Sequence, residues 1–244
     1  MPWRFAGSPG HTLGVELEVG IVSARTGQLT CAAPAILAGI NRDPSDVEPA
    51  RIKREQFEST LEMTTGICQT PAQAQADLSA ALAVLRPVLG ALNLSLMAAG
   101  AHPYSRWQEQ LVTPEDRYLE VIERFRWPLR QLTTYGLHVH VGVPTGEHAI
   151  AAINALTGLL PHFLALSASS PFWQGADTGL ASARTSLWGS APSSGLPPRL
   201  RDWHDFEQLA DLLVGAGTIQ TPRDLWWDVR PTHYPRASGV RSSR

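Results

Sequence analysis

From Gly14 to Val22 the chain alternates, with Val15, Leu17, Val19 and Ile21 on one side and Glu16, Glu18 and Gly20 on the other. This period of two predicts a half-buried β-strand. It returns between Tyr135 and Val143, where Leu137, Val139, Val141 and Val143 oppose His138, His140 and Gly142. Gln56 to Gly66 is rich in β-formers and closes on a glycine, which predicts another strand, while "LSLMAAGAHPYS" reads as a short strand ending in a Gly/Pro loop. After Thr70 and Pro71 the pattern changes to an Ala/Leu-rich helix over residues 72–92, which Pro87 is expected to kink or divide. Further helices are predicted over Pro114–Glu123 and Asp205–Val214, and the Gly/Ser/Pro-rich stretch Ser167–Pro198 reads as a structured loop. The apolar run Ala149–Ala168 approaches the ~20 residues that span a bilayer. Asn154, Pro161 and His162 interrupt it, so a buried core helix is expected. The fold class that follows is α+β, with strands joined by helix-containing excursions.

The polar faces of these strands are unusual. Solvent-facing strand positions ordinarily mix Thr, Lys, Arg and Ser, whereas these carry Glu16 and Glu18, then His138 and His140, with Glu58, Thr60 and Glu62 between. Residues two apart on a strand have Cα atoms ~7 Å apart and project the same way. Two carboxylates so placed raise each other's pKa unless a cation intervenes, and glutamate oxygens suit a hard ion such as Mg²⁺. The plainer alternative is a solvated face whose glutamates meet lysines on a neighbouring strand, but Lys53 is the single lysine in the chain. Glu55 has the opposite parity to Glu58 and Glu62, so a bulge or a late strand start is needed to bring Glu55 and Glu62 together. His138 and His140 on one face are also an arrangement that ligates zinc, with a hydrogen-bonded pair of histidines as the alternative. Arg184 and Arg230 are natural clamps for a phosphate or carboxylate, or else rim salt bridges. His102 lines a pocket or finishes a turn. No P-loop and no dinucleotide-binding glycine motif is present.

Composition narrows the function classes. With 43% hydrophobic and 17% charged residues in 244, the chain lies far from disordered compositions. A net charge of -2 supplies no global field for nucleic acid or an anionic membrane, so ligands must be held locally. Two cysteines, Cys31 and Cys68, and an N-terminal stretch without a charged and then apolar pattern lead to the expectation of a reducing cytoplasm.

In order, "GVELEVGIV", "REQFESTLEMTTGIC", "GAHP", "TTYGLHVHVGVP", "ALSASSPFWQGADTGLASARTSLW" and "WWDVRP" resemble the carboxylate-amine ligase branch of the glutamate-cysteine ligase type 2 family. The resemblance runs from about residue 10 to residue 235. It implies a glutamine-synthetase-like fold, a curved, mainly antiparallel sheet holding ATP and Mg²⁺ on its concave face with helices on its convex face. It also implies ATP-dependent amide-bond formation through an acyl phosphate, with weak glutamate-cysteine ligase activity on a glutamate-like carboxylate and a cysteine-like amine. By motif, Glu16, Glu18, Glu55 and Glu62 become metal ligands, and His138, His140 and Arg184 nucleotide-binding residues. His138, Arg184 and Arg230 would act in catalysis. The resemblance leaves room for a homodimer.

After "DVRP" such relatives continue with a strand of the type Pro-Thr-Leu-Glu-Val-Arg and further helices, whereas this sequence reads "THYPRASGVRSSR". The expectation is one catalytic domain over residues 1–235, incomplete at its C-terminus through truncation or a frameshift, followed by a non-matching tail over 236–244. Two rival functions remain at this point: a catalytically impaired nucleotide-binding remnant, and a metal-dependent hydrolase built on His138 and His140.

Overall fold

The structure of the protein, a computed structural model, describes residues 3, 5–8, 10, 12–40 and 51–232. The expected tail over 236–244 therefore lies outside the described residues. In chain order the first elements are β1 (Leu13–Ser23), α1 (Ala33–Gly39), β2 (Arg51–Arg54), β3 (Thr60–Thr64), α2 (Pro71–Ala91), β4 (Leu94–Met97), α3 (Asp116–Phe125), α4 (Trp127–Arg130) and β5 (Leu137–Val141). They are followed by α5 (Gly146–Thr157), α6 (Leu160–Ser167), β6 (Phe172–Trp173), β7 (Ala176–Asp177), α7 (Ala183–Trp188), β8 (Ser194–Gly195), α8 (Trp203–Gly215) and β9 (Trp226–Trp227). These elements fall into two compact units, each assembled from segments discontinuous in sequence.

The larger unit comprises residues 13–141 and 167–191. Its five-stranded antiparallel sheet is organised by the long β1. One edge of β1 pairs with β3, which pairs in turn with β2. The other edge is shared, with β5 along Leu13–Leu17 and β4 along Gly20–Ser23. The alternation in β1 sends Val19 and Ile21 into a core with Ile52, Leu61 and Met63, closed by Ile36 of α1 and Ala81, Leu85 and Leu89 of α2. Glu16, Glu18 and Gly20 occupy the opposite face, because successive strand side chains point to opposite sides.

α2 begins where the sequence says it should. The Thr70 side chain accepts a hydrogen bond from the Gln73 N–H, and Pro71 takes a first-turn position that has no use for its missing donor. Pro87 neither divides nor ends the helix. It and Ala83, whose carbonyl loses the i+4 donor, are both exposed to solvent. α3 begins at Asp116 and α8 at Trp203, where Asp202 caps the helix by accepting from the Asp205 N–H.

Two expectations about apolar segments are corrected. Leu137, Val139 and Val141, expected to be the buried side of their strand, are 61%, 62% and 61% exposed. α2 packs on β1, β3 and β4, whereas this side of β5 is left largely exposed. The run Ala149–Ala168 is not one buried helix but α5 and α6, bent by 62°. α5 buries Ala149, Ile150 and Ile153, while α6 buries none of its residues. Among the described residues no single helix is long and apolar enough to cross a membrane.

The smaller unit contains residues 1–12, 142–166 and 192–244, of which the described part packs α5 against α8. Its core gathers Trp3, Ile150, Ile153, Phe206 and Trp227. The Trp3 indole donates to Asp211 Oδ1 at 3.0 Å, and the Trp203 indole donates to the Trp3 carbonyl at 3.1 Å, so both indole donors are satisfied.

Candidate functional site

The site is built on the sheet face that α2 leaves free. Glu18 of β1 and Glu62 of β3 are directly opposite partners, an arrangement of like charges that is unfavourable on its own. Glu55 joins them because β3 starts late. Residues 55–59 form the connection from β2 instead of extending the strand. Phe57 is buried and bridges Val112, the Thr113 hydroxyl donates to the Glu55 carbonyl, and the Gln56 side chain donates to the Leu129 carbonyl at 3.1 Å. That pinned turn brings one carboxylate oxygen from each of Glu18, Glu55 and Glu62 within 4.8 Å of one another, all three side chains part-buried. Glu58 is not a member of this group, and its backbone is tied to Ala33 and Leu111.

The electrostatics follow from crowding. Burial pushes the Glu55 carboxyl up to about 8, with the charges of Glu18 and Glu62 adding to the effect. Burial also raises Glu18, against the opposing influence of His138, the Gly136 N–H and Arg184. Three converging hard oxygen donors, from Glu18, Glu55 and Glu62, are a donor set suited to Mg²⁺ or Mn²⁺.

Glu16 occupies a different position. One of its oxygens lies 3.3 Å from His138 Nδ1 and the other 3.3 Å from His140 Nε2. Contacts with these two imidazoles hold its carboxyl well below the usual carboxylate range. The register explains the separation, since Glu16 faces His138 across the β1–β5 pairing while Glu18 faces Glu62 across the β1–β3 pairing.

The sequence matches the family described as glutamate-cysteine ligase family 2 over residues 12–242. The chain belongs to glutamate-cysteine ligase family 2. A Frankia casuarinae protein, provisionally named glutamate-cysteine ligase 2-1, is 42% identical over 227 residues, covering 93% of this chain and 59% of that protein. A Thermobifida fusca protein, provisionally named glutamate-cysteine ligase 2, is 42% identical over 231 residues, covering 95% of this chain and 58% of that protein. The chain thus spans about six-tenths of the length of the curated relatives it matches. A Francisella tularensis glutamate-cysteine ligase solved in complex with AMP aligns with a TM-score of 0.47 and 12% identity, over 67% of this chain and 35% of that one, a likeness too slight to argue from.

In this family member, Arg184 enters the larger unit from α7. Its Nε donates to the Tyr135 carbonyl at 2.8 Å, and its charge lowers the Glu18 pKa. Arg230 belongs to the smaller unit, where its guanidinium donates to the Trp227 carbonyl at 3.0 Å. His102 finishes a turn, its Nδ1 accepting from the Ser105 N–H at 2.9 Å while Nε2 lies 2.9 Å from the Gly27 carbonyl. Gly136 escaped the sequence reading. Its N–H donates to Glu18 Oε2 at 2.6 Å, and a Cβ there would stand 3.3 Å from that oxygen and 3.1 Å from His138 Nε2. Its place before the alternating "LHVHV" was the available signal. Lys53 does meet a glutamate, with Nζ 3.3 Å from Glu62 Oε1, as the plainer reading of the acidic face required. The shallow apolar hollow between α1 and α2, lined by Ala35, Gly39, Pro87, Val88, Ala91 and Leu92, holds no titratable group.

Proposed function

We propose that this chain carries the metal and nucleotide centre of an ATP-dependent carboxylate-amine ligase, with glutamate-like and cysteine-like substrates. The observation that carries the reading is the convergence of Glu18, Glu55 and Glu62 within 4.8 Å on one sheet face. In this reading the three carboxylates hold Mg²⁺, while Glu16 and His138, side by side at 3.3 Å, form the neighbouring edge against a second metal ion or the phosphates. His140 borders the nucleotide, and Arg184 and Arg230 neutralise phosphate or substrate carboxylate charge. Mg-ATP, when bound, would supply the γ-phosphoryl group to a substrate carboxylate with ADP as leaving group, and an amine would then displace inorganic phosphate to form the amide. The protein's own contribution is positioning and charge neutralisation: the Gly136 N–H fixes the Glu18 carboxylate, and the pinned turn fixes Glu55. The glutamine-synthetase-like fold, with nucleotide on the concave face of the sheet, is part of the same proposal. So is the joint action of both units as one catalytic domain.

A second reading draws on the position of Glu16 between two imidazoles, a nitrogen-rich set that favours a borderline metal and hydrolysis through His138 and His140. One experiment separates the two. Phosphate release is followed with Mg-ATP, glutamate and cysteine, using Glu18→Gln as control. The ligase reading expects release that needs both amino acids and is abolished in the variant. Calorimetry showing no heat with Mg-ATP, together with ester or amide hydrolysis stimulated by Zn²⁺, favours the hydrolase.

A further inference from the structure

The carboxylate cluster brings its own monovalent cation. Lys53 sits on β2, in register with Glu62 on β3, and its ammonium is 3.3 Å from Glu62 Oε1. The Lys53 side chain is 56% exposed while that of Glu62 is 14% exposed, so the lysine reaches in from solvent to a partly buried acid. β2 is the outermost strand on that side of the sheet among the described residues, and the β2–β3 pairing is already secured by its ladder and by Ile52 in the core. The ion pair is therefore not needed to hold the strand in place. It lies instead at the group of three carboxylates whose oxygens come within 4.8 Å of one another.

We propose that Lys53 is the movable counter-ion of this site. It neutralises Glu62 when no divalent metal is bound. Metal binding drives the ammonium off by like-charge repulsion, and it then meets a phosphate oxygen of the metal-bound nucleotide. The long flexible stem allows the swing, and a lysine ammonium is a point-charge ligand that tolerates many phosphate geometries. This inference rests on the metal and nucleotide reading above, and it gives Lys53 a positioning role that a static surface ion pair lacks. It requires the lysine to act with opposite sign on two ligands: against the bare metal, and in favour of the metal-nucleotide complex.

The test titrates the full chain with Mn²⁺ alone, read by electron paramagnetic resonance, and separately with Mg²⁺ plus a non-hydrolysable ATP analogue, read by calorimetry. Wild type is compared with Lys53→Met and Lys53→Arg. Lys53→Met is expected to bind bare Mn²⁺ more tightly by about two- to fivefold, the weight of an exposed ion pair. It is expected to bind the metal-analogue complex more weakly by at least a similar factor, with Lys53→Arg close to wild type in both titrations. Equal affinities for wild type and Lys53→Met, or shifts of the same sign for both ligands, overturn the role of Lys53 while the metal and nucleotide reading stands. Wild type that binds neither ligand overturns both.

Discussion

At the scale of single residues, burial raises the Glu18 and Glu55 carboxyls, while two imidazoles lower that of Glu16. Glu55, raised from 4.5 to about 8, binds its proton more tightly in the folded chain than in the unfolded one. Its contribution to stability is therefore complete below about pH 4.5 and disappears as the pH rises towards about 8. Glu16 has the opposite sign, because its lowered pKa stabilises the fold above the unfolded value and that contribution is lost in acid. Metal-free protein is thus expected to melt at a lower temperature at pH 8 than at pH 6, with Glu55→Gln flattening the decline. Thermal melts across that range check both statements. Each of Glu18→Gln, Glu55→Gln and Glu62→Gln is expected to weaken Mn²⁺ binding by on the order of tenfold or more while leaving the metal-free melting temperature unchanged or higher. A collapse of the fold in all three would show instead that the acids are structural.

Among the elements, β1 joins the site to the core, and its alternation was legible in the sequence together with α2, α8 and the β5 stretch. Parity alone placed Glu16 and Glu18 on one face. Where β3 begins was not legible, because the late start depends on Phe57, Thr113 and Gln56 making contacts with residues far along the chain, which no local pattern encodes. Nor did alternation reveal which strand neighbour each glutamate faces. That is a matter of register, and it separates Glu16 from the group that Glu18 joins. The exposed apolar side of β5 was misjudged for a similar reason, since periodicity tells which residues share a face but not whether another layer covers it. Two substitutions test the packing. A Cβ at Gly20 would lie 2.6 Å from Tyr135 Oη and 2.8 Å from its Cζ, so Gly20→Ala is expected to cost about 1–3 kcal/mol in urea unfolding. Leu85→Ala empties a fully buried position where α2 meets the sheet, and is expected to cost about 2–5 kcal/mol.

For the whole molecule, the chain belongs to glutamate-cysteine ligase family 2, and in the function proposed above its clustered acids are neutralised by a divalent metal whose shell a nucleotide's phosphates complete. Ligands that bind the folded state alone stabilise it by about 2.7 kcal/mol at a hundredfold excess over Kd. Mg-ATP is therefore expected to raise the melting temperature more at pH 8 than at pH 6, because the carboxylates must lose their protons to serve as ligands. The central claim is that Glu18, Glu55 and Glu62 together hold a divalent ion, and anomalous diffraction from a crystal grown or soaked with Mn²⁺ tests it most directly. The account predicts an anomalous peak among these three side chains, at about 2.0–2.3 Å from an oxygen of each. A well-occupied Mn²⁺ found only beside Glu16, His138 and His140, or no ion on this face of the sheet at all, would contradict it.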